Sequence, residues 1–221
     1  MVLVSARTAV GAADASADDR GAVLLALARN AVAGGFDPMV PPVVPVAEVD
    51  VLAHPWLEEL GASFVTLHLG GGRRGHDASM RLRGCIGTLE AYRPLLDDVR
   101  GNALAAAFRD PRFPPLGRAD YPHLHVEVSE LSPPTPLPYA SRADLIAQLR
   151  PGIDGLVLEY GGRRGTYLPQ VWEQIRAPED FLASLVIKAH LPRGFWSDGI
   201  AVSRYTVTAY AEPLPDPPAG P

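Results

Sequence analysis

The chain is poor in cysteine and lysine, with one residue of each, Cys85 and Lys188, among its 221 residues. A single cysteine cannot form an intramolecular disulfide, so the sequence excludes a disulfide-stabilised scaffold and sites built from several cysteines. One unpaired thiol is typical of a reducing compartment, and we therefore expect a cytoplasmic protein. The other basic residues are all arginine, a side chain suited to binding carboxylate or phosphate, although a genome-wide codon bias produces the same composition.

The sequence also has no excess of basic over acidic residues and no long run of apolar residues. Its formal net charge is −5, which argues against sequence-independent binding of nucleic acid. No apolar run approaches the roughly 18–20 residues that span a bilayer. Residues 1–19 lack the basic and apolar regions of a signal peptide. We therefore expect neither a nucleic-acid partner nor a membrane segment.

Glycine and proline, by contrast, are frequent, with 21 and 23 residues. This content predicts a globular domain with many turns, because disordered low-complexity chains contain still more of both. The sequence predicts a flexible arm over residues 1–19, a folded unit over 20–211 and a proline-rich tail over 212–221.

Hydrophobic spacing predicts helices interspersed with antiparallel hairpins and no regular βαβ rhythm, which indicates an α+β fold. Predicted helices cover residues 19–32, 94–107, 141–149, 171–175 and 179–189. Predicted strands cover residues 62–69, 80–89, 123–131, 156–160, 166–168 and 204–210. Residues 70–79 are predicted to form a turn, and the four prolines within 38–46 predict an extended segment.

The pentapeptide GGRRG occurs twice, at residues 71–75 and 161–165, each time after a predicted strand. Glycines supply the positive φ that hairpin turns need, and arginines in a turn stay hydrated. Two explanations remain open: two solvated turns of similar composition, or two arginine pairs that flank an anion site.

The segment from Arg83 to Thr88, RGCIGT, lies in a predicted strand and contains two glycines. Gly84 and Gly87 stand on either side of Cys85 and Ile86. Glycine inside a strand marks a bulge or the close approach of another backbone or a ligand. Cys85 is then either a buried packing residue or a reactive thiol, whose pKa a nearby Arg83 is expected to lower.

LRGCIGTL at residues 82–89 resembles the hallmark of the AMMECR1 family. The resemblance continues in order through the remaining segments, which together cover residues 20–212. These segments are LLALARNAV at 24–32, FVTL at 64–67, DPRFPPL at 110–116, EVSEL at 127–131, YLPQV at 167–171, the pair at 188–189 and RYTVTAYAE at 204–212. The resemblance implies an α+β fold with a larger lobe that contains an antiparallel sheet, a smaller lobe, and a cleft between them that contains the cysteine segment.

The resemblance implies no agreed reaction. Microbial members resemble parts of the AmmeMemoRadiSam set, which also includes a Memo-like protein and a radical S-adenosylmethionine protein, so both are expected as partners.

The sequence departs from the usual family pattern at two places: His190 occupies a position where the family usually has glycine, and the segment 68–82 is longer than usual. His190 either adds a titratable group near the cleft or replaces a helix C-cap.

Candidate ligand-binding residues come from the same signature. They are Gly84, Gly87, Thr88, Asp110, Arg112, Phe113, Tyr167, Gln170 and His190. Asp110 and Arg112 have a second explanation, since their ion pair would simply hold the proline-rich loop, and Gln170 would lie on the exposed first turn of a helix that Pro169 begins. His123, His125 and Glu127 resemble a metal triad in composition, but strand positions i, i+2 and i+4 diverge, so we expect no metal. We expect no cofactor.

Two functions from different classes follow. In the first, the protein is an enzyme that uses Cys85 as nucleophile or acid/base on a small substrate, with Arg83 stabilising charge and His68 as the nearest candidate partner across the hairpin. In the second, it is a non-catalytic module that binds a small ligand or a partner protein in the same cleft. No nucleotide-binding glycine motif accompanies either function.

Overall fold

The computed structural model describes residues 15–36, 49–70 and 80–213. The chain divides into two compact units. The cysteine unit contains the described residues up to Glu130 together with those from Ala209 onward, and the second unit contains Leu131–Thr208.

Apolar residues alternate with polar ones in some segments and recur at helical spacing in others. Within the described residues, the chain forms four α-helices and nine strands. The helices are α1 (Ala15–Gly34), α2 (Leu95–Phe108), α3 (Arg142–Gln148) and α4 (Pro178–Lys188). The strands are β1 (Leu60–Leu69), β2 (Arg81–Gly87), β3 (Arg93–Pro94), β4 (Leu124–Leu131), β5 (Thr135–Pro136), β6 (Gly155–Tyr160), β7 (Arg163–Tyr167), β8 (Ala201–Tyr205) and β9 (Val207–Ala211). The α+β class predicted from the sequence is confirmed.

The cysteine unit is a five-stranded sheet covered by α1 and α2. The strand order is β2-β1-β4-β9, with β3 paired to the start of β1. Alternate residues of the strands, such as Val65, Leu67 and Val126, are fully buried in one cluster with Leu24 of α1 and Val99 of α2. The period-2 pattern of the strands and the helical stripe of α2 therefore meet in a single apolar core.

The second unit has a four-stranded sheet of order β5-β8-β6-β7 with its own core. Trp172 and Phe181 stack at the centre of this core, with ring centroids 3.7 Å apart and planes at 5°. The turn between β6 and β7 consists of Gly161 and Gly162, whose φ values of +57° and +76° are those of a two-residue hairpin. The predicted hairpin is confirmed, with a turn of two residues where five were predicted.

The end of α4 explains His190. This exposed residue has φ +60°, its amide donates to the Ile187 carbonyl at 2.9 Å, and the Leu191 amide donates to the Val186 carbonyl at 3.2 Å. These bonds form the Schellman motif that glycine usually completes. The structure thus supports the C-cap explanation for the histidine.

One prediction from the sequence was wrong. The strand predicted at residues 204–210 is two strands in different sheets, since β8 ends at Tyr205 and β9 begins at Val207. At the predicted domain boundaries, the Glu212 amide donates to the Val126 carbonyl at 3.0 Å and its carboxylate accepts from Arg29, and α1 begins at Ala15. Residues 38–46 and 71–79 lie outside the described residues.

Across the three described ranges, none of the helices combines the length and the apolar character needed to cross a membrane.

Candidate functional site

The sheet of the cysteine unit has one face toward the helices and one polar face. On β1, Val65 and Leu67 enter the core, so the intervening residues Thr66 and His68 lie on the opposite face. Cys85 shares this face because it is the register partner of Thr66. On β4, Val126 and Val128 enter the core, which places two further titratable residues on the same side. We define the polar face as Thr66, His68, Cys85, His125 and Glu127.

The two glycines of the motif allow close packing on both sides of β2. A Cβ on Gly84 would lie 2.1 Å from the carbonyl oxygen of Ala106 in α2, a distance no real contact shows. A Cβ on Gly87 would lie 2.2 Å from the ring of Phe64. Both glycines, predicted as ligand-binding residues, are therefore required by close approach within the protein.

Asp110 and Arg112 hold the peptide of Cys85 from two directions. The Cys85 amide donates to Asp110 Oδ2 at 2.9 Å, and Arg112 Nη2 donates to the Cys85 carbonyl at 3.0 Å. The two side chains also pair with each other, with Arg112 Nη2 2.6 Å from Asp110 Oδ2. Their ion pair holds the pKa of the buried Asp110 carboxyl far below its usual value. The loop thus fixes the backbone of Cys85 through charged hydrogen bonds.

Burial raises the pKa of the Cys85 thiol, because its charged form loses hydration. The Thr66 hydroxyl, which donates to Sγ at 3.4 Å, and the Arg112 charge both lower this pKa but do not offset the burial. The expectation of a lowered thiol pKa was therefore wrong. Thr66 is the contact that sequence reasoning missed, although strand alternation could have identified it had the register been known.

Arg83 does not occupy the position expected for it. In the pairing of β1 with β2, Leu67 is opposite Gly84 and His68 is opposite Leu82, so Arg83 is the extra residue of a β-bulge. Its Nη2 donates to the Pro114 carbonyl at 2.7 Å. The guanidinium that favours the Cys85 thiolate is that of Arg112. Gly84 indicated a bulge or a close approach in this strand, but not which neighbouring residue would be the extra one.

His68 shows a pKa shift opposite to that of the thiol. Burial lowers the pKa of His68, an effect that the carboxylate of Glu127 counteracts and the nearby His125 reinforces. The His68 and His125 rings lie 6.4 Å apart, and His125 Nε2 is hydrogen-bonded to the Glu212 carbonyl. His68 is opposite Leu82, and Thr66, not His68, is opposite Cys85.

Thr88 belongs to a different cluster. Its hydroxyl donates to Asp98 Oδ1 at 2.7 Å, and Asp98, which is fully buried, also accepts from Ser63, Arg93 and Asn102. The Asp98 carboxylate thus has an arginine partner and further hydrogen-bond donors, which is what a buried carboxylate requires. The structure thus uses Thr88 to fix the end of the motif and does not bring its hydroxyl to the Cys85 thiol.

Three candidates, Tyr167, Gln170 and His190, lie in the second unit. The Tyr167 hydroxyl is 2.9 Å from Ser184 Oγ, and its ring packs edge-on against Phe181. Pro169 begins a 3-10 helix, as the second explanation for Gln170 expected, but Gln170 is not exposed as that explanation also expected. Its Oε1 is buried without a hydrogen bond among the described residues. Of the second GGRRG segment, Arg163 donates to the carbonyl of His190. The first segment, at 71–75, lies outside the described residues.

Phe113 and His123 complete the predicted set. Two guanidinium groups lie near the Phe113 ring, that of Arg83 5.9 Å and that of Arg112 5.5 Å from its centroid. His123 is exposed at the end of a 3-10 helix and does not join His125. Among the described residues, no three histidine, cysteine or acidic side chains are grouped as metal ligands would be.

Comparison with known proteins places these features in a family. The chain is 35% identical over 204 residues to a protein from Thermofilum pendens, a match that covers 89% of this chain and 92% of the relative. It is 41% identical over 120 residues to a protein from Methanococcus aeolicus, a match that covers 52% of this chain and 58% of the relative's length.

A solved structure shows the same fold. The chain is similar to the uncharacterized protein PH0010 from Pyrococcus horikoshii, with a TM-score of 0.64 and 31% identity over 90% of this chain and 95% of that one. The family model of AMMECR1 matches residues 25–210, which include the cysteine motif, the Asp110 loop and the segment around Gln170. The chain belongs to the AMMECR1 family.

Proposed function

We propose that the polar face is a small-molecule site at which Cys85 and His68 transfer protons to and from a bound substrate. The observation that carries this proposal is that burial shifts the two pKa values in opposite directions. A thiol with a raised pKa keeps its proton at neutral pH and can donate it. An imidazole with a lowered pKa is neutral and can accept one. Two groups whose environments push their pKa values apart form an acid and base pair.

The register supports a substrate of several atoms between the two groups. His68 lies two residues beyond Thr66, the partner of Cys85, so the two functional positions are diagonal neighbours about 7–8 Å apart. Diagonal neighbours are within reach of a molecule that contacts both side chains, so the proposal assigns the two proton transfers to different atoms of one substrate. The proposal involves proton transfer alone and needs no cofactor.

The hydrogen-bonded surroundings of Cys85 suit this role. Asp110 and Arg112 hold its amide and carbonyl, which fixes the direction of the side chain. The Thr66 hydroxyl donates to the sulfur, and it can relay or stabilise charge there. Arg83 then has no direct part in proton transfer, in contrast to the role first expected for it.

Deuterium exchange tests the proposal. The full chain is incubated in D₂O with the small-molecule fraction of a microbial extract, and deuterium incorporation is followed by mass spectrometry. Wild type should label at least one compound, and Cys85→Ser and His68→Gln should each reduce the rate by about 10²-fold or more. His123→Gln, which alters an exposed histidine of the same unit, is the matched control. Equal labelling by wild type and both variants would contradict the proposal.

The alternative is a non-catalytic module that binds a ligand or partner protein through the same residues. The observation that favours it is that Asp110 and Arg112 satisfy each other and the Cys85 backbone, so that they act as structural groups. The candidate partners are Memo-like and radical S-adenosylmethionine proteins. Co-elution of such proteins with wild type and with Cys85→Ser alike, without any deuterium exchange, would favour this alternative.

A further inference from the structure

Arg83 is a buried cation at an irregular point of the sheet. It is the extra residue of the bulge in β2, and it is only 9% exposed. Its Nη2 donates to the Pro114 carbonyl, and the ring of Phe113 lies against its guanidinium. Its Nη1 is buried and has no hydrogen-bond partner among the described residues. One nitrogen of a permanently charged group thus remains unsatisfied.

The other arginines with described ion pairs differ from Arg83 in one respect. Each of them contacts a carboxylate: Arg20, Arg29, Arg93, Arg112, Arg150 and Arg164. Within the part of the chain that the structure describes, no ion pair joins Arg83 to an acidic residue, although it is more buried than any of these six. Burial of a charge without a counter-charge destabilises a folded protein. The fold tolerates this cost at the residue next to the Gly84-Cys85 peptide.

The loop beside Arg83 adds a second guanidinium. Arg112 lies on the same Phe113 ring, and its side chain is 40% exposed, so solvent and solutes reach it. A guanidinium presents a planar fork of N–H donors that matches the oxygens of carboxylate or phosphate. Because Nη1 of Arg83 is enclosed in this conformation, an anion must move a neighbouring side chain to reach it, and Phe113 is the aromatic ring in contact.

We propose that Arg83 binds the anionic oxygen group, carboxylate or phosphate, of a small molecule, and that Phe113 closes over this group. Only the identification of that molecule as the substrate rests on the proposed proton-transfer function; the anion site itself rests on the contacts of Arg83. The inference narrows the substrate class to small molecules that carry a carboxylate or a phosphate.

Titration with inorganic phosphate and with acetate, against chloride at constant ionic strength, tests the site and separates the two anion classes. Binding to the full chain is followed by calorimetry. We expect saturable binding of at least one anion to wild type, and a loss of about tenfold or more in affinity for Arg83→Gln, because a hydrogen bond to a charged group is removed. Arg100→Gln, an exposed arginine of α2, should bind within twofold of wild type.

A stability measurement provides a second test that does not depend on affinity. Arg83→Met removes the buried charge, so this variant should melt at a higher temperature than wild type in chloride. In saturating phosphate or acetate that advantage should shrink, since the anion stabilises wild type alone. The absence of saturable binding of either anion to wild type, or binding by Arg83→Gln and Arg83→Met that is as tight as that of wild type, would overturn the site. Anion binding without deuterium exchange contradicts only the proton-transfer function, and exchange without anion binding contradicts only this site.

Discussion

Replacement of Gly84 by alanine tests how the cysteine motif is held against α2. The added Cβ would lie 2.1 Å from the oxygen and 2.9 Å from the carbon of the Ala106 carbonyl. Both are backbone atoms, so no side-chain rotation relieves the contact. Since ordinary contacts of this type lie near 3.5 Å, strand and helix must separate by roughly 1.4 Å.

The cost follows from that separation. Overpacking of a core typically costs about 1–3 kcal/mol, and a contact between two backbones belongs at the upper end. Displacement of β2 also weakens the hydrogen bond from the Cys85 amide to Asp110, which is worth about 1 kcal/mol. We therefore expect Gly84→Ala to lower the free energy of unfolding of the cysteine unit by about 2–4 kcal/mol.

The assay must report on this unit alone, because the chain has two compact units that can unfold separately. Hydrogen exchange of the α2 amides, measured across a urea series, gives its local free energy of unfolding. Gly34→Ala is the matched control, since a Cβ there meets nothing within 4 Å and alanine is the better helix former. A value for Gly84→Ala within about 0.5 kcal/mol of wild type would refute the packing argument.

Three further predictions follow from single contacts. His190→Gly should raise the free energy of unfolding by about 1 kcal/mol in urea denaturation, because glycine adopts φ +60° without strain; a decrease would contradict the C-cap explanation. Thr66→Val should raise the pKa of Cys85 further and slow its iodoacetamide labelling at neutral pH, since the hydroxyl bond to Sγ lowers that pKa; an unchanged rate would show that the bond is not made. Asp110→Asn should destabilise the chain at neutral pH. The folded-state pKa of Asp110 is depressed, so the stability difference from wild type, measured by urea denaturation from pH 3 to 7, should shrink as the pH falls below about 4; a pH-independent difference would contradict the Arg112 ion pair.

Local patterns predicted most of the elements, because each depends on short-range spacing. The apolar stripe of α2 and the alternation of β4 were readable, and Pro94 does precede the first turn of α2. Alternation also marked residues 204–210 as extended, but it carries no information on which sheet a strand joins. The change of sheet occurs at Thr206, which exchanges hydrogen bonds with Ser132. That contact is 74 residues distant in sequence and leaves no local signal.

The candidate site was predictable in its members and not in their geometry. The family motif identified Cys85, Asp110 and Arg112, which the structure brings together. The sign of the thiol pKa shift was not predictable, because it depends on how deeply the strand is buried. The role of Arg83 was not predictable either, since a one-residue bulge changes which side chain faces Cys85.

The residues of the cysteine motif, 83–88, make contacts on both faces of β2. These contacts determine how mutations in the motif should be interpreted. Gly84 contacts α2, Thr88 bonds to Asp98 beneath the sheet, and Cys85 alone of the three presents its side chain to the polar face. A loss of activity on substitution of Gly84 or Thr88 therefore follows from displacement of the cysteine and does not identify a ligand contact. Thr66 touches the sulfur from the neighbouring strand without contributing to the core. Its hydroxyl is for that reason the most direct probe of whether the chemistry of Cys85, and not merely its packing, matters for function.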